Sequence, residues 1–542
     1  MFLLVLILNS CTLKNEAKAY FFNTQTGNDD NLGTSEEKPW RSISKLNTIK
    51  LNPGDHVYLA QGQTFTGDIA LKDIKGNLTA PIKILSYQSK LTNKNTPPQI
   101  IGGIEIENSS FIEIYDLVVT KGMLDSMLIG ENRKYMRCGI LVKTSKPGTY
   151  EHIKLKNLYV SDIFFEKKGF KRPKEEVRTP NGVQNYGWGI RFINNLDSAY
   201  FRNISIDSSV ITNISHTGIK LTVRTNDVHF GLTDFRISNS KVNNTGGPGI
   251  QMSGVSNGHV YKNTVDRSGS NDDPRKWGRG SGLWTWGSSN VLIEKNKFIN
   301  ANGPGDSAGA HIDFNCSNII LQYNFSANNA GGFCEILGNN YNCAYRYNIS
   351  VNDGYRVKGS NEAFQEGKIL WLSGYNGSKV KRKGPFNSYI YNNTIYVSKT
   401  IDAKIAIDRA ARGILIANNI FHIEGASISV KGDQYNPEKE GVWKATNVIF
   451  TNNLFLHNKS WPEDQCLQDA NPLFGNVRFH QKGGNQMKDY IPENVELIKN
   501  YGIVIPKLPQ DSIGLVVKLN PLKDILGNPI KGLPDLGAIE ID

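Results

Sequence analysis

A strand-length motif that ends in asparagine returns through the middle of this chain. It reads NVLIEKNKF from Asn290, NIILQYNFS from Asn318, NCAYRYNIS from Asn342, NSYIYNNTI from Asn387, GILIANNIF from Gly413 and NVIFTNNLF from Asn447. Each copy alternates apolar and polar residues and closes on one Asn, the pattern of a half-buried strand entering a tight turn. Copies that recur at uneven intervals of about 24 to 46 residues describe stacked turns of one coil, with loops of different length inserted between strands. Alignment puts Asn296, Asn324, Asn348, Asn393, Asn419 and Asn453 in one column. Weaker copies extend it back through Asn263, Asn239, Asn203, Asn157 and Asp116. Asn suits such a column because it tolerates the left-handed turn conformation and its amide can bond the copies above and below. The fold expected is all-β, a right-handed parallel β-helix of about ten to eleven turns with N- and C-terminal caps.

A chain of 542 residues has room for two or more domains, yet the ladder runs without a linker. One solenoid over residues 19–542 is therefore expected, after a leader and tether at residues 1–18. The opening MFLLVLILNSC resembles a bacterial lipoprotein signal, although no Lys or Arg precedes its apolar run. That resemblance implies an exported protein, outer-membrane, cell-surface, periplasmic or secreted. Cys11 would be its acylated N-terminus and its one link to a membrane; a signal peptide cut without lipidation is the alternative. Net charge is +12, which expects an anionic partner. Export turns that expectation from nucleic acid to acidic polysaccharide, bound by a monomer. Cys138, Cys316, Cys334, Cys343 and Cys466 lack metal-finger spacing and read mostly as packing residues.

A second strand, opening with Gly, precedes each Asn strand: GIRF at Gly189, GIKLT at Gly218, GIQMS at Gly249, GLWTW at Gly282, GAHIDF at Gly309 and GFCEIL at Gly332. Period-two alternation sends Ile190, Ile219, Ile250, Leu283 and Ile312 inward. Arg191, Lys220, Gln251, Trp284, His311 and Glu335 then form an outward strip, with Asp313 one outward position beyond His311. Rungs about 4.8 Å apart let His311, Asp313 and Glu335 converge. The extra chain length enters at one edge of this strip, at residues 161–186, 266–281, 301–308 and 352–368. It brings basic and aromatic runs such as DDPRKWGRG from Asp272, while KVKRKG from Lys379 follows a later Gly strand. A groove with Arg191, Lys220, Arg279 and Gln251 for anionic groups and Tyr186, Trp188, Trp277, Trp284 and Trp286 for pyranose faces is expected. His216 and Asp306 are further candidates on the same side.

Two carboxyl groups beside a histidine supply the acid and the base or nucleophile that glycosidic cleavage requires. Asp313 and Glu335, diagonal on neighbouring rungs, are expected about 5 to 7 Å apart, nearer the retaining than the inverting separation. His311 would tune them or hold the sugar. Glu294, on the Asn strand, is expected to face away. A polysaccharide lyase acting on a uronate polymer is the rival, with Lys220, Arg191 and Arg224 as its cations. Only that rival would use calcium, with Asp272, Asp273 and Asp306 as donors; the hydrolase needs no cofactor or metal. A non-catalytic binding solenoid would not need converging acids.

The opening YFFNTQTGNDDNLGTSEEKPWRSISKLN with LNPGDHVYLAQGQTFTGDI resembles the N-terminal cap of secreted bacterial β-helix carbohydrate enzymes. The ending LPDLGAIEI resembles their terminal strand. The stretch from GPGDSAGAHIDF to GGFCEILGNNYNCAYRYNISVNDG is similar to β-helix glycoside hydrolases acting on fucose-containing polysaccharides, including endo-fucanases of marine bacteria. The resemblance implies hydrolysis of a sulfated fucan.

Overall fold

The computed structural model describes residues 16–90, 94–129, 132–179, 185–223, 231–431 and 445–541. Cys11 and Arg224 lie outside the described residues. The chain winds into a parallel β-helix of three sheets with 14, 13 and 14 strands. The stack thus runs a few rungs beyond the repeat-bearing stretch. In a typical turn, Ser289–Glu294 joins the sheet that carries the Asn motifs (the ladder sheet) and Lys297–Ile299 the back sheet. A loop then leads to Ala310–Ile312 in the third sheet, called here the cleft sheet, and a short turn returns the chain to the ladder sheet at Ser317–Gln322. The antiparallel pair among the named strands is the hairpin of Met123–Ile129 with Asn132–Lys143, the second of which runs on into the interior of the cleft sheet.

Inward residues make the core. Ile190, Ile219, Ile250 and Leu283 are fully buried in one column of the cleft sheet, and Ile312 and Ile336 in the next inward column, which continues from Thr285. Removing each such side chain from water contributes about 1.5–3 kcal/mol. Burial of this kind fixes register, because a one-residue slip would turn the whole column outward.

The Asn column is a continuous buried hydrogen-bond ladder. Asn324 shows the unit: its Oδ1 accepts from the Asn296 backbone N–H and side-chain amide, both at 3.0 Å. Its own amide donates to Ile293 O at 2.9 Å and to Asn348 Oδ1 at 3.1 Å. The pattern repeats through Asn393, Asn419 and Asn453. Two expectations about this column are corrected. The left-handed conformation belongs to the residue before each ladder Asn, as at Lys295, Tyr323, Tyr347, Asn392 and Asn418. Asn157, Asn239 and Asp116 occupy that preceding position rather than the ladder, and Asn203 lies inside Ala199–Asp207. Towards the N-terminus the ladder continues from Asn263 through serine. Ser240 N–H donates to Asn263 Oδ1, Ser209 N–H to Ser240 Oγ, and Leu158 N–H to Ser209 Oγ. A hydroxyl accepts the same backbone N–H but cannot donate as an amide does, so the column changes residue type where alignment on Asn loses it.

The C-terminal part is more than an end cap. From Val477 to Ile539 its apolar residues pack along the outer face of the ladder and back sheets, over Tyr323, Tyr347, Tyr389 and Tyr391. Asp511 accepts from the Asn342 amide at 3.0 and 2.9 Å and from Tyr389 Oη at 2.5 Å. The stretch around Ala538, expected as a terminal strand, is not one: Gly537 N–H donates to Asn418 O from an irregular backbone. No helix among the described residues is long and apolar enough to cross a membrane.

Candidate active site

The sequence column of the cleft sheet is real. Arg191 pairs with Lys220, Lys220 with Gln251, Gln251 with Trp284 and Trp284 with His311. Ile312 pairs with Ile336, which sets His311 against Glu335 on the next rung. Glu335 in turn pairs with Trp371. Glu294 lies on the ladder sheet, bonded to His259 and Gln322, away from this face.

The first half of the strip is covered, and here the expected open groove is corrected. Arg191, Lys220 and Gln251 are buried, as are Tyr186, Trp188, Trp277 and His216. The insertions fold down onto the strip instead of standing beside it. Trp277, from the 266–281 insertion, stacks on His216 with ring centroids 4.4 Å apart, and Trp188 closes on the same imidazole at 4.2 Å. Burial, with Lys220, Arg172 and Arg191 nearby, lowers the His216 pKa far below its ordinary value. Lys220 and Arg191 lie over the Trp188 ring at 4.7 and 4.4 Å. These residues form a packed aromatic and cationic plug, and offer no pyranose platform.

The second half converges. Asp313 begins the turn after Ala310–Ile312; its Oδ2 accepts from Trp284 Nε1 at 2.8 Å and its Oδ1 from the Phe314 backbone N–H at 2.9 Å. Burial is the largest influence on this carboxyl and outweighs both bonds, pushing its pKa up to about 7, with Asp306 adding to the rise. Glu335 is raised to about 8 by burial, opposed by Lys368 and reinforced by Asp306 and Asp313. Lys368 starts Lys368–Leu372 one rung further on, its Nζ 3.7 Å from the Trp371 ring centroid. Burial lowers it to about 7, against the pull of Glu335. His311 Nδ1 meets Ser281 Oγ at 2.8 Å, and burial lowers its pKa to about 4, which leaves the imidazole neutral at pH 7.

Asp306 is charged differently. Arg279 grips it with two bonds, Nε to Oδ2 at 2.9 Å and Nη2 to Oδ1 at 3.1 Å. Burial pushes its pKa up, but Arg279 and His311 outweigh that and hold it below the ordinary carboxylate range. Its side chain keeps 22% of its surface exposed, so it is not sealed in the interior. Asp306 and Ser307 both hold positive φ, and Gln365 Oε1 accepts from the Asp306 N–H at 2.5 Å, fixing this tight turn from the neighbouring loop.

His311, Asp313, Glu335, Trp284, Asp306 and Arg279 are thus gathered on one wall. Trp286 stays partly exposed beside Phe314, with ring centroids 6.0 Å apart. Lys368 is the participant that the sequence reading missed. Its signal is the run KILWL, whose first residue pairs with Gly332 and so puts a lysine where the earlier rungs carry small residues. The three expected calcium donors are each taken by an arginine: Asp272 by Arg267, Asp273 by Arg275 and Asp306 by Arg279. Among the described residues no group of three or more His, Cys, Asp or Glu side chains is placed to hold a metal ion.

The rungs that carry this wall fall within residues 188–355, which match a family model described as right handed beta helix region. Over 98% of its length the chain is 23% identical to lacto-N-biosidase of Bifidobacterium longum subsp. longum, and it spans 37% of that relative. Among solved structures it is similar to a GH136 lacto-N-biosidase from Eubacterium ramulus, with TM-score 0.52 and 18% identity over 77% of this chain and 67% of the other. XylC in complex with xylose is similar over 97% of this chain and 98% of the other, with TM-score 0.51 and 10% identity. These likenesses establish the right-handed parallel β-helix.

Proposed function

We propose that this chain is a glycoside hydrolase in which Asp313 is the general acid and Asp306 the ionised carboxylate that acts as base or nucleophile. The observation that carries the reading is the opposite charging of two carboxyl groups on one wall. Burial keeps the Asp313 proton while Arg279 strips that of Asp306, and environments that drive two acids apart in this way assign their roles. Asp313 would protonate the leaving oxygen, and Asp306 would attack the anomeric carbon or activate water. Glu335, expected from the sequence as the second catalytic acid, shifts in the same direction as Asp313. With Lys368 it is proposed to hold sugar hydroxyls.

The lacto-N-biosidase relative supports a glycosidase and makes an aryl lacto-N-bioside the first substrate to try. Sulfated fucan, proposed from the basic loops, is the second. A lyase reading is favoured by one observation, the lowered pKa of buried Lys368, which would make that amine a proton-abstracting base. One screen separates them. Both substrates and a uronate polymer are incubated with wild type, Asp313→Asn, Asp306→Asn and Glu335→Gln, and products are read as reducing ends and as ultraviolet absorbance of unsaturated uronate. The hydrolase reading expects saturated products, with Asp313→Asn and Asp306→Asn each slower by about a hundredfold or more and Glu335→Gln less affected. Unsaturated products, or full activity in either aspartate variant, reject it.

A further inference from the structure

The wall beyond Asp313 is the connection between Lys368–Leu372 and Phe386–Tyr391, which leaves the cleft sheet for the ladder sheet and meets Phe314 through Tyr375. An aromatic ridge leads onto it. Trp286 meets Phe314 edge-on at 6.0 Å, and Phe314 meets Tyr375 edge-on at 6.0 Å. Ser373 Oγ accepts from the Tyr375 N–H at 3.1 Å and from Arg382 Nη2 at 2.9 Å, tying the end of the ridge to a basic turn. That turn borders a half-open cavity of about 310 Å³ lined by Lys381, Arg382, Lys383, Phe386, Ala410 and Arg412.

Its charges have distinct tasks. Arg382 bonds the buried carboxylate of Asp408, with Nε 2.7 Å from Oδ2, so it organises the turn and its charge is compensated. Lys381, Lys383 and Arg412 reach the surface around the same cavity. Lys383 Nζ lies 5.8 Å from the centroids of both Tyr341 and Phe386, whose rings stack 4.8 Å apart. The Phe386 ring beside cationic heads gives an apolar patch next to positive charge, which fits a sugar that carries a negative group.

We infer that this cavity is a subsite for an acidic sugar, one bearing a carboxylate or a sulfate ester, placed along the glycan from the bond cleaved at Asp313. The inference rests on the glycosidase reading for the identity of the cleft. It assigns the basic character of the substrate site to this wall, since Arg191 and Lys220 are buried under the plug. The shared ligand chemistry is a monoanionic group held by charge-assisted hydrogen bonds, which weaken with salt.

The test is calorimetric binding to the full chain carrying Asp313→Asn, so that turnover does not interfere. Probes are oligosaccharides of hyaluronan (carboxylate), of chondroitin sulfate (carboxylate and sulfate) and of neutral chitin. The comparison protein adds Lys381→Ala and Lys383→Ala, exposed changes that leave the fold intact. Expected is tighter binding of an acidic probe than of the neutral one by about tenfold, lost in the comparison protein and reduced at high salt. Preference for hyaluronan assigns carboxylate, and a gain only with chondroitin sulfate assigns sulfate. Equal binding of acidic and neutral probes, unchanged affinity after the two substitutions, or no binding of any probe overturns the subsite. Each of those results leaves the hydrolase reading to the aspartate variants, which are scored by turnover and not by affinity.

Discussion

Asp313 shows what burial does to a carboxyl group placed where water is scarce. Its proton is retained to about pH 7 although Trp284 and Phe314 both donate to it. The charged form is therefore disfavoured in the folded state, and the sign of the linkage follows. A group whose folded pKa is raised contributes its full stability below its ordinary value, near pH 4, and loses it as pH climbs through the folded value. Asp313 and Glu335 together should make the wild type less stable at pH 8 than at pH 5. Asp313→Asn keeps the shape without the charge, so its thermal midpoint should exceed that of the wild type by about 1–3 °C at pH 8, with the gap closing at pH 5. Scanning calorimetry at the two pH values checks this, and a gap independent of pH counts against a buried, protonated Asp313. Activity should follow the same group, with kcat/KM falling as pH rises above about 7, because the acid is lost. His311, Asp313 and Glu335 were legible because period-two alternation and one inward pair, Ile312 with Ile336, fix their register. The state of Asp306 was not legible, since Arg279 reaches it across a loop whose path no local pattern encodes.

The Asn ladder decides which element can stack on which. Asn324 satisfies five polar groups inside a dry turn: two donors on Asn296, its own amide and backbone N–H, and the carbonyl of Ile293. Asn324→Ala leaves buried donors without acceptors, which costs about 1–3 kcal/mol for each group. Asn318→Gly removes one exposed link, to Asn290 at 2.9 Å, at a left-handed φ that Gly adopts freely, and should cost well under about 1 kcal/mol. Denaturant midpoints of the two variants should separate clearly, whereas equal midpoints would make the buried ladder energetically idle. Six copies of the motif were enough to read the coil, because amide stacking demands one residue type in one column. The N-terminal rungs escaped alignment where serine replaces the amide. Sequence composition likewise placed the basic and aromatic insertions at the correct edge, but not their collapse onto Arg191, Lys220 and Gln251. Whether a loop walls a groove or plugs it depends on packing against distant partners such as Trp277 on His216.

At the scale of the whole molecule, one long core supports a wall of chemistry near its middle, and the C-terminal chain straps the opposite side. Asp511 joins that strap to Asn342 and Tyr389, so Asp511→Ala should loosen it. Proteolysis should then cut the 476–541 region faster than in the wild type while the β-helix stays intact; an unchanged cleavage rate would mean the strap is held by its apolar contacts alone. Export through a lipidated Cys11 is proposed on the leader alone, and a lipid-modified N-terminal peptide in the membrane fraction would establish it. The central claim is that this wall hydrolyses a glycosidic bond with Asp313 as acid. The most direct measurement is reaction in ¹⁸O-labelled water, with products read by mass spectrometry for the wild type and Asp313→Asn. The account predicts one ¹⁸O atom in the new reducing end from the wild type and at least about a hundredfold less of that product from Asp313→Asn. An unlabelled, unsaturated product from the wild type, or equal labelled product from both proteins, would contradict it.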